Sequence, residues 1–285
     1  MELSCPLCLS PEAEELHGAA NTLGVQPPRQ VVRCTQCRLT FVHPRMTPDE
    51  LRETYGEKYF RLFEEVPGME LTGGDEEVAP HLKARLATCE RLVGKGRLLE
   101  VGCAYGGFLD YARRSGWNIQ GVEVSSYAAD EARRRFSIDV FCGTLEEAGF
   151  PDEFFDLCHM NHVLEHLATP LGTLREVYRV LRKGGLLAVE VPNELEDLYG
   201  TFREKILGRP RIPPPAPSVH LLFFNPLTLT RMLGAAGFKV IHLQTPRRNK
   251  DQASKFPFGI LVKKAIYSIE ETFKCGPLIE AFAQK

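Results

Sequence analysis

Leu98, Leu99 and Val101 form a short apolar run that stops at Gly102, and Leu109-Asp-Tyr-Ala-Arg-Arg114 then resumes at helical spacing. The stretch Arg97-Leu-Leu-Glu-Val-Gly-Cys-Ala-Tyr-Gly-Gly-Phe108 therefore reads as a buried parallel strand, a glycine turn and a helix. Such a turn lets a ligand approach bare backbone, while the helix that follows offers unpaired N–H groups and the positive end of its dipole. Further on, Ile119-Gln-Gly-Val-Glu-Val124 reads as the second strand of a βαβ unit, with Glu123 near its C-terminal end. A carboxylate there suits bidentate hydrogen bonding to ribose hydroxyls.

A glycine turn alone is shared by dinucleotide-binding proteins. Here the spacing is Gly102-x-Ala104-x-Gly106, with Glu100 two residues before the first glycine. That pattern resembles the class I S-adenosylmethionine (SAM)-dependent methyltransferases, from roughly Leu92 to Phe238. The resemblance implies a Rossmann-like α/β fold with a mostly parallel seven-stranded sheet and SAM as cofactor. It assigns the cofactor to Glu100, Gly102, Cys103, Ala104, Tyr105 and Gly106 around the turn, to Glu123 and Val124 at the ribose, and to Asn161 and His162 after the fourth strand. Thr144 and Leu145 take the adenine position. Many relatives carry an acid where this chain has Thr144, so the backbone around Leu145 is expected to carry more of that recognition.

Two C-x-x-C pairs, Cys5-Pro-Leu-Cys8 and Cys34-Thr-Gln-Cys37, precede this core. Each can turn two thiolates towards one tetrahedral ion, and four such ligands favour structural zinc. The competing reading, a redox C-x-x-C, lacks the strand-to-helix setting of thioredoxin-like motifs. Nine cysteines, an odd number, fit a reducing cytoplasmic compartment better than a disulfide framework. No stretch approaches the roughly 20 apolar residues of a membrane span, and Met-Glu-Leu-Ser-Cys5 lacks the character of a signal sequence.

The expected organisation is a zinc ribbon over 1–45, a helical linker or cap over 46–91 and a methyltransferase domain over 92–285. Thr47-Pro-Asp-Glu50 opens a helix that carries Tyr55, Tyr59 and Phe60, either as a lid over the cofactor or as packing between the modules. Strands are expected at Ile138–Cys142, Phe154–Met160, Leu186–Asn193, Lys239–Leu243 and Leu278–Ala283, the last antiparallel. A helix opening at Thr169-Pro170 is expected to end at Gly184-Gly185. Residues 195–220, rich in proline and arginine, read as a basic substrate lid, and 246–275 as a helical insertion. The insertion's apolar face reads as core packing, with a peripheral membrane helix as the alternative.

Net charge is −2, yet residues 201–264 hold twelve Lys/Arg against two Asp/Glu. The basic stretch motivates a small anionic acceptor such as a nucleotide-sugar or glycan precursor, the substrate class of the sugar methyltransferases that this zinc-module-plus-core arrangement resembles. An RNA acceptor is the second reading. It lacks the Asn/Asp-Pro-Pro-aromatic signature of base-amine methylation, since this chain has Asn161-His-Val-Leu164. A non-catalytic SAM-binding scaffold is the third.

Methyl transfer needs an acceptor held about 3 Å from the methyl carbon and, for a hydroxyl or acidic carbon, removal of a proton. His162, just past the fourth strand, is the leading candidate, with hydrogen bonding to cofactor or backbone as its other role. His166 stands beside Glu165, a pair similar to one that serves a metal or the acceptor in quinone O-methyltransferases, though structural hydrogen bonding carries more weight here. His220, in Val219-His-Leu-Leu-Phe-Phe-Asn225, resembles a His-x-x-x-Phe segment that faces the acceptor pocket in relatives.

Overall fold

The computed structural model describes residues 3–16, 29–65, 78–193, 220–247, 268, 272 and 274–285. The expected lid and most of the expected helical insertion lie outside them.

Three short strands, β1 (Ala13–Glu15), β2 (Gln30–Cys34) and β3 (Thr40–His43), pair antiparallel; Cys5 and Cys8 precede β1, Cys34 ends β2 and Cys37 lies in the turn to β3. Helix α1 (Pro48–Thr54) starts on a capping box: Thr47 Oγ1 accepts from Glu50 N–H, and Glu50 accepts from Thr47 N–H. The helix ends at Tyr55, and Gly56 separates it from α2 (Glu57–Glu65). Tyr55, Tyr59 and Phe60 therefore do not share one helix as the sequence suggested.

Helix α3 (Pro80–Val93) leads into β4 (Arg97–Val101), followed by α4 (Gly107–Arg114), β5 (Asn118–Glu123), α5 (Ser126–Phe136), β6 (Val140–Cys142), α6 (Leu145–Ala148) and β7 (Phe155–Asn161). A 3-10 turn over Leu164–His166 precedes α7 (Pro170–Val180). Strand β8 (Leu181–Pro192) begins directly after that helix, so Gly184-Gly185 does not terminate it. Phe155 pairs with Leu181 but Leu157 with Leu186, and this bulge holds the two glycines, Gly184 at φ +73°. Pairing with β7 ends the helix before its glycines. The chain continues through β9 (Leu222–Phe223), α8 (Pro226–Ala235), β10 (Lys239–Gln244) and β11 (Leu278–Gln284).

Seven strands form one sheet in the order β10-β11-β8-β7-β4-β5-β6, parallel except for β11, which is antiparallel to β8 and β10. Leu98, Leu99, Leu157, Cys158 and Leu186–Val189 are fully buried, because helices cover both faces. The order reverses at β4, whose neighbours β5 and β7 lead to opposite edges; ligands of doubly wound sheets lie at that point, beyond the strand C-termini. Strand β9 does not join this sheet. It pairs with β3, Phe41 opposite Leu222, and so completes the N-terminal sheet. No helix among the described residues is long and apolar enough to cross a membrane.

Candidate active site

Strand register brings the candidate residues to one edge. Val101 pairs with both Val122 and Met160, which sets Gly102 level with Glu123 on one side and Asn161 on the other. Gly102 (φ +70°) and Gly106 (φ +77°) hold the turn in the left-handed region, as does Ala104 at φ +46°. A Cβ at position 102 would stand 2.4 Å from Val163 Cγ2, so glycine is required there for space as well as for conformation.

Glu123 is buried, with Oε2 accepting from Ala104 N–H and Oε1 from Ser125 N–H, both at 2.9 Å. Burial raises its pKa against the pull of these bonds. The two bonds fix the carboxylate at the strand end and leave each oxygen capacity for a further donor. Val124 follows half-buried. Cys103 is buried, and Tyr105 packs into an aromatic group with Phe60 (5.5 Å) under the Arg135 guanidinium (4.4 Å). Thr144 caps α6 through a capping box with Glu147, and Leu145 is buried.

Glu100 points into the sheet, not the turn. Its Oε1 lies 2.8 Å from His159 Nδ1, while Oε2 is buried without a hydrogen-bond partner. Arg85 Nη1, always a donor, reaches His159 Nε2 at 3.0 Å, so Nδ1 carries the imidazole hydrogen and donates to Glu100. Burial pushes Glu100 well above, and His159 well below, their usual pKa ranges. Arg85 also reaches Asn161 Oδ1 (2.7 Å), Glu280 Oε1 (2.5 Å) and Glu190 Oε2 (2.6 Å). Asn161, Glu190, Glu280 and Gln244 are consecutive cross-strand partners, so a polar row crosses four strands and Arg85 of α3 plugs into it. The sequence reading missed Arg85, His159, Glu190 and Glu280. Their signal was polar side chains inside otherwise apolar strands, as in Leu157-Cys-His-Met160 and Ala188-Val-Glu-Val191.

Beyond β7 the chain turns at His162 (φ +54°). His162 Nδ1 lies 3.3 Å from Glu165 Oε1, and Nε2 lies 3.6 Å from Glu190 Oε1. Burial opposes its charge, but the bonds and charges of Glu165 and Glu190 prevail and push its pKa up to about 9. A cationic imidazole donates from both nitrogens, here towards Glu165 and Glu190. His166 Nδ1 and the Tyr55 hydroxyl oxygen are hydrogen-bonded at 2.6 Å, and burial raises the Tyr55 phenol well above its usual range. The rings of His166 and His220 meet edge-on at 4.7 Å. Tyr59 stands edge-on to Tyr55, and burial followed by the charges of Glu165 and Glu123 raises its pKa to about 12. Helix α2 thus lies beside both the Glu123 and the Glu165 ends of the cleft. Asn193, at the end of β8, donates to the Gly276 carbonyl at 2.8 Å.

In the N-terminal ribbon all four thiols of Cys5, Cys8, Cys34 and Cys37 lie within 4.8 Å of one another, and none forms a disulfide. Cys5 and Cys37 sulfurs are 3.4 Å apart and those of Cys8 and Cys34 3.5 Å, near the roughly 3.8 Å edge of a zinc–sulfur tetrahedron. Backbone N–H groups of Leu7 and Cys8 turn to Cys5, and those of Gln36 and Cys37 to Cys34. Burial nevertheless raises the Cys5 thiol to about 11, whereas at Cys34 the bonds outweigh burial and lower it to about 7. This ribbon is tied to the cleft. Val42 N–H donates to the Leu221 carbonyl (2.9 Å), Leu221 N–H to the Glu165 carbonyl (2.8 Å), and Arg231 Nη1 to the Cys37 carbonyl (3.1 Å).

Residues 72–243 match the family described as Methyltransferase domain. A malonyl-[acyl-carrier protein] O-methyltransferase of Serratia marcescens is 30% identical over 156 residues, 52% of this chain and 57% of the relative. A 24-methylenesterol C-methyltransferase of Oryza sativa subsp. japonica is 35% identical over 98 residues, 32% of this chain and 27% of its own. The chain spans between about half and two thirds of the length of the first curated relatives it matches. A SAM-dependent methyltransferase from Archaeoglobus fulgidus has the same fold, with a TM-score of 0.51, 20% identity and coverage of 72% of this chain and 93% of that one.

Proposed function

Because this chain belongs to the methyltransferase-domain family, we propose that it transfers a methyl group from SAM to a small-molecule acceptor, an anionic nucleotide-sugar or glycan precursor. The observation that carries the reading is the gathering, at one sheet edge, of a bare-backbone turn, the anchored Glu123 carboxylate and a cluster of His162, Glu165, His166 and His220. A donor-bearing ligand fits this edge, because Glu165 keeps a buried oxygen without a partner.

When bound, the cofactor supplies a methyl group on a sulfonium sulfur, with a neutral thioether as leaving group. Glu123 accepts from the ribose hydroxyls, the backbone from Gly102 to Gly106 lies along the cofactor, and Thr144 with Leu145 borders the adenine. Cationic His162, held by Glu165 and Glu190, would lend positive charge to the acceptor side. His166 and His220 face the acceptor, and Tyr55 with Tyr59 excludes water from that side. The relatives include both O- and C-methyltransferases, so the acceptor atom follows from the pocket and not from the family.

Labelled methyl transfer to a panel of nucleotide-sugars, glycans and RNA tests the function. The expected result is turnover with a nucleotide-sugar or glycan and none with RNA. Arg209→Ala with Arg211→Ala is expected to raise acceptor KM about tenfold at unchanged kcat, the signature of lost uniform binding. An unchanged KM would remove the anionic acceptor from the proposal.

The ribbon cysteines hold one zinc ion. Four protein ligands leave it no open position, so it supports structure and takes no part in chemistry. Cys34→Ser is expected to lower zinc content from about one ion per chain to none in elemental analysis, and to speed amide exchange at Val42 and Leu221. Full zinc retention in that variant would refute the ligand set.

A further inference from the structure

We propose that Glu190, anchored by Arg85, is a positioning residue for methyl transfer that holds the His162 imidazole at the cleft; the part His162 plays there rests on the methyltransferase reading above. Arg85 belongs to α3, in the stretch expected to be a linker ahead of the methyltransferase domain, and its side chain is fully buried. Its Nη2 stands 2.6 Å from Glu190 Oε2, and Glu190 Oε1 stands 3.6 Å from His162 Nε2. One carboxylate thus faces two cations, one on α3 and one at the end of β7. The chain of charges runs from a closed interior outward, since the His162 side chain is 38% exposed and that of Glu190 only 1%.

The main chain ties the same residues together. His162 N–H donates to the Glu190 carbonyl at 3.0 Å and anchors His162 in the left-handed region, at φ +54°. A residue other than glycine keeps that conformation only where its surroundings over-determine it, and such residues gather at functional sites. Asn161, just before it, pairs with Glu190 across β7 and β8, and its Oδ1 accepts from Arg85 Nη1 at 2.7 Å. Arg85 therefore reaches both residues at the exit of β7, Asn161 directly and His162 through Glu190.

Charge balance around Arg85 does not explain Glu190. The guanidinium meets Glu190 and Glu280 at nearly equal distances, 2.6 and 2.5 Å, and one carboxylate is enough to neutralise it. A second buried negative charge needs a further cation or donor. Glu280 has Gln244, and Glu190 has His162. From the 3-10 turn Glu165 faces His162 Nδ1 at 3.3 Å and also stands 3.9 Å from His166 Nε2. Glu165 and Glu190 are the charged groups that face His162, and together they raise its pKa to about 9 against burial. A cation fixed at the end of β7 favours an acceptor that carries or develops negative charge.

The test compares Glu190→Gln with Glu280→Gln in the full chain. Histidines carry a nitrogen isotope label, the His162 imidazole signals are identified by their loss in His162→Gln, and NMR follows them against pH. Both variants take one negative charge from beside Arg85, but only Glu190 faces His162. Glu190→Gln is expected to lower the proton affinity of His162 at least tenfold, the effect of removing an opposite charge at about 4 Å, and Glu280→Gln to leave it within about threefold. No loss in Glu190→Gln, or equal losses in the two variants, overturns the positioning role. Should Glu190→Gln fail to fold, Arg85→Met/Glu190→Gln removes the pair together and carries the same expectation, with Arg85→Met/Glu280→Gln as its control. SAM calorimetry on the same samples separates the two readings. Cofactor bound by a wild type whose His162 titrates as in Glu190→Gln overturns the positioning role alone. A tenfold loss at His162 in a protein that binds no cofactor supports the hold on His162 and overturns the methyltransferase reading.

Discussion

Arg85→Ala is expected to destabilise the fold by about 3–5 kcal/mol, the cost of stranding a buried charge. The guanidinium is fully buried, and so, within 4%, are the carboxylates of Glu190 and Glu280 that it pairs. Its Nη2 approaches Glu190 Oε2 at 2.6 Å without satisfying hydrogen-bond geometry, so that contact acts chiefly through charge. Removing the cation leaves two carboxylates in neighbouring strands facing each other, with Gln244 donating to Glu280. Urea unfolding should show the loss as a lower midpoint at unchanged slope. The triple variant Arg85→Met, Glu190→Gln, Glu280→Gln removes all three charges together and is expected to recover most of the loss, because a buried ion pair contributes little beyond its own desolvation. A loss below about 1 kcal/mol in Arg85→Ala would mean that the polar row does not depend on its cation.

Glu123→Ala is expected to weaken SAM binding at least 100-fold. Two charge-assisted hydrogen bonds to ribose hydroxyls, at about 1.5 kcal/mol each or more, give about 3 kcal/mol, and every 1.4 kcal/mol is tenfold. The same substitution removes the acceptors of Ala104 N–H and Ser125 N–H, so the turn loses its anchor along with the ligand. Glu123→Gln separates these contributions. It keeps one carbonyl oxygen for one of the two backbone donors and places an amide N–H₂ against the other, so an intermediate affinity is expected. Calorimetry on the three proteins decides the matter. Wild-type affinity in Glu123→Ala would place the ribose elsewhere, and equal losses in both variants would make the carboxylate's charge the deciding feature.

The strand–turn–helix at Leu98–Arg114 and the acid at Glu123 were legible because both follow from local rules: apolar period, glycine position and strand length. Zinc-type spacing at Cys5, Cys8, Cys34 and Cys37 was legible for the same reason. The polar row beneath Arg85 was not, since it exists only in the register of four strands, and no single strand records which residue of its neighbour it faces. The end of α7 was misread because Gly184-Gly185 resembles a helix stop; pairing of β8 with β7 decided the boundary and put the glycines into a bulge. His162 was found by its place after a strand, and His166 and His220 by resemblance to segments of related methyltransferases. What the sequence could not show was that Tyr55, from the cap, bonds to one of them, or that Glu165 is shared between two.

The pairing of β3 with β9 joins segments roughly 180 residues apart in the chain. A ribosome adding about 5–20 residues per second needs on the order of 10–40 s to travel from one to the other. During that interval the four cysteines are already outside and able to take their ion, while the edge of β3 waits for its partner with backbone groups open to solvent. The ribbon's last strand is delivered only after β8 has emerged. Completion of the ribbon is thereby timed to the making of the parallel core, and the same closing step carries His220 to its place.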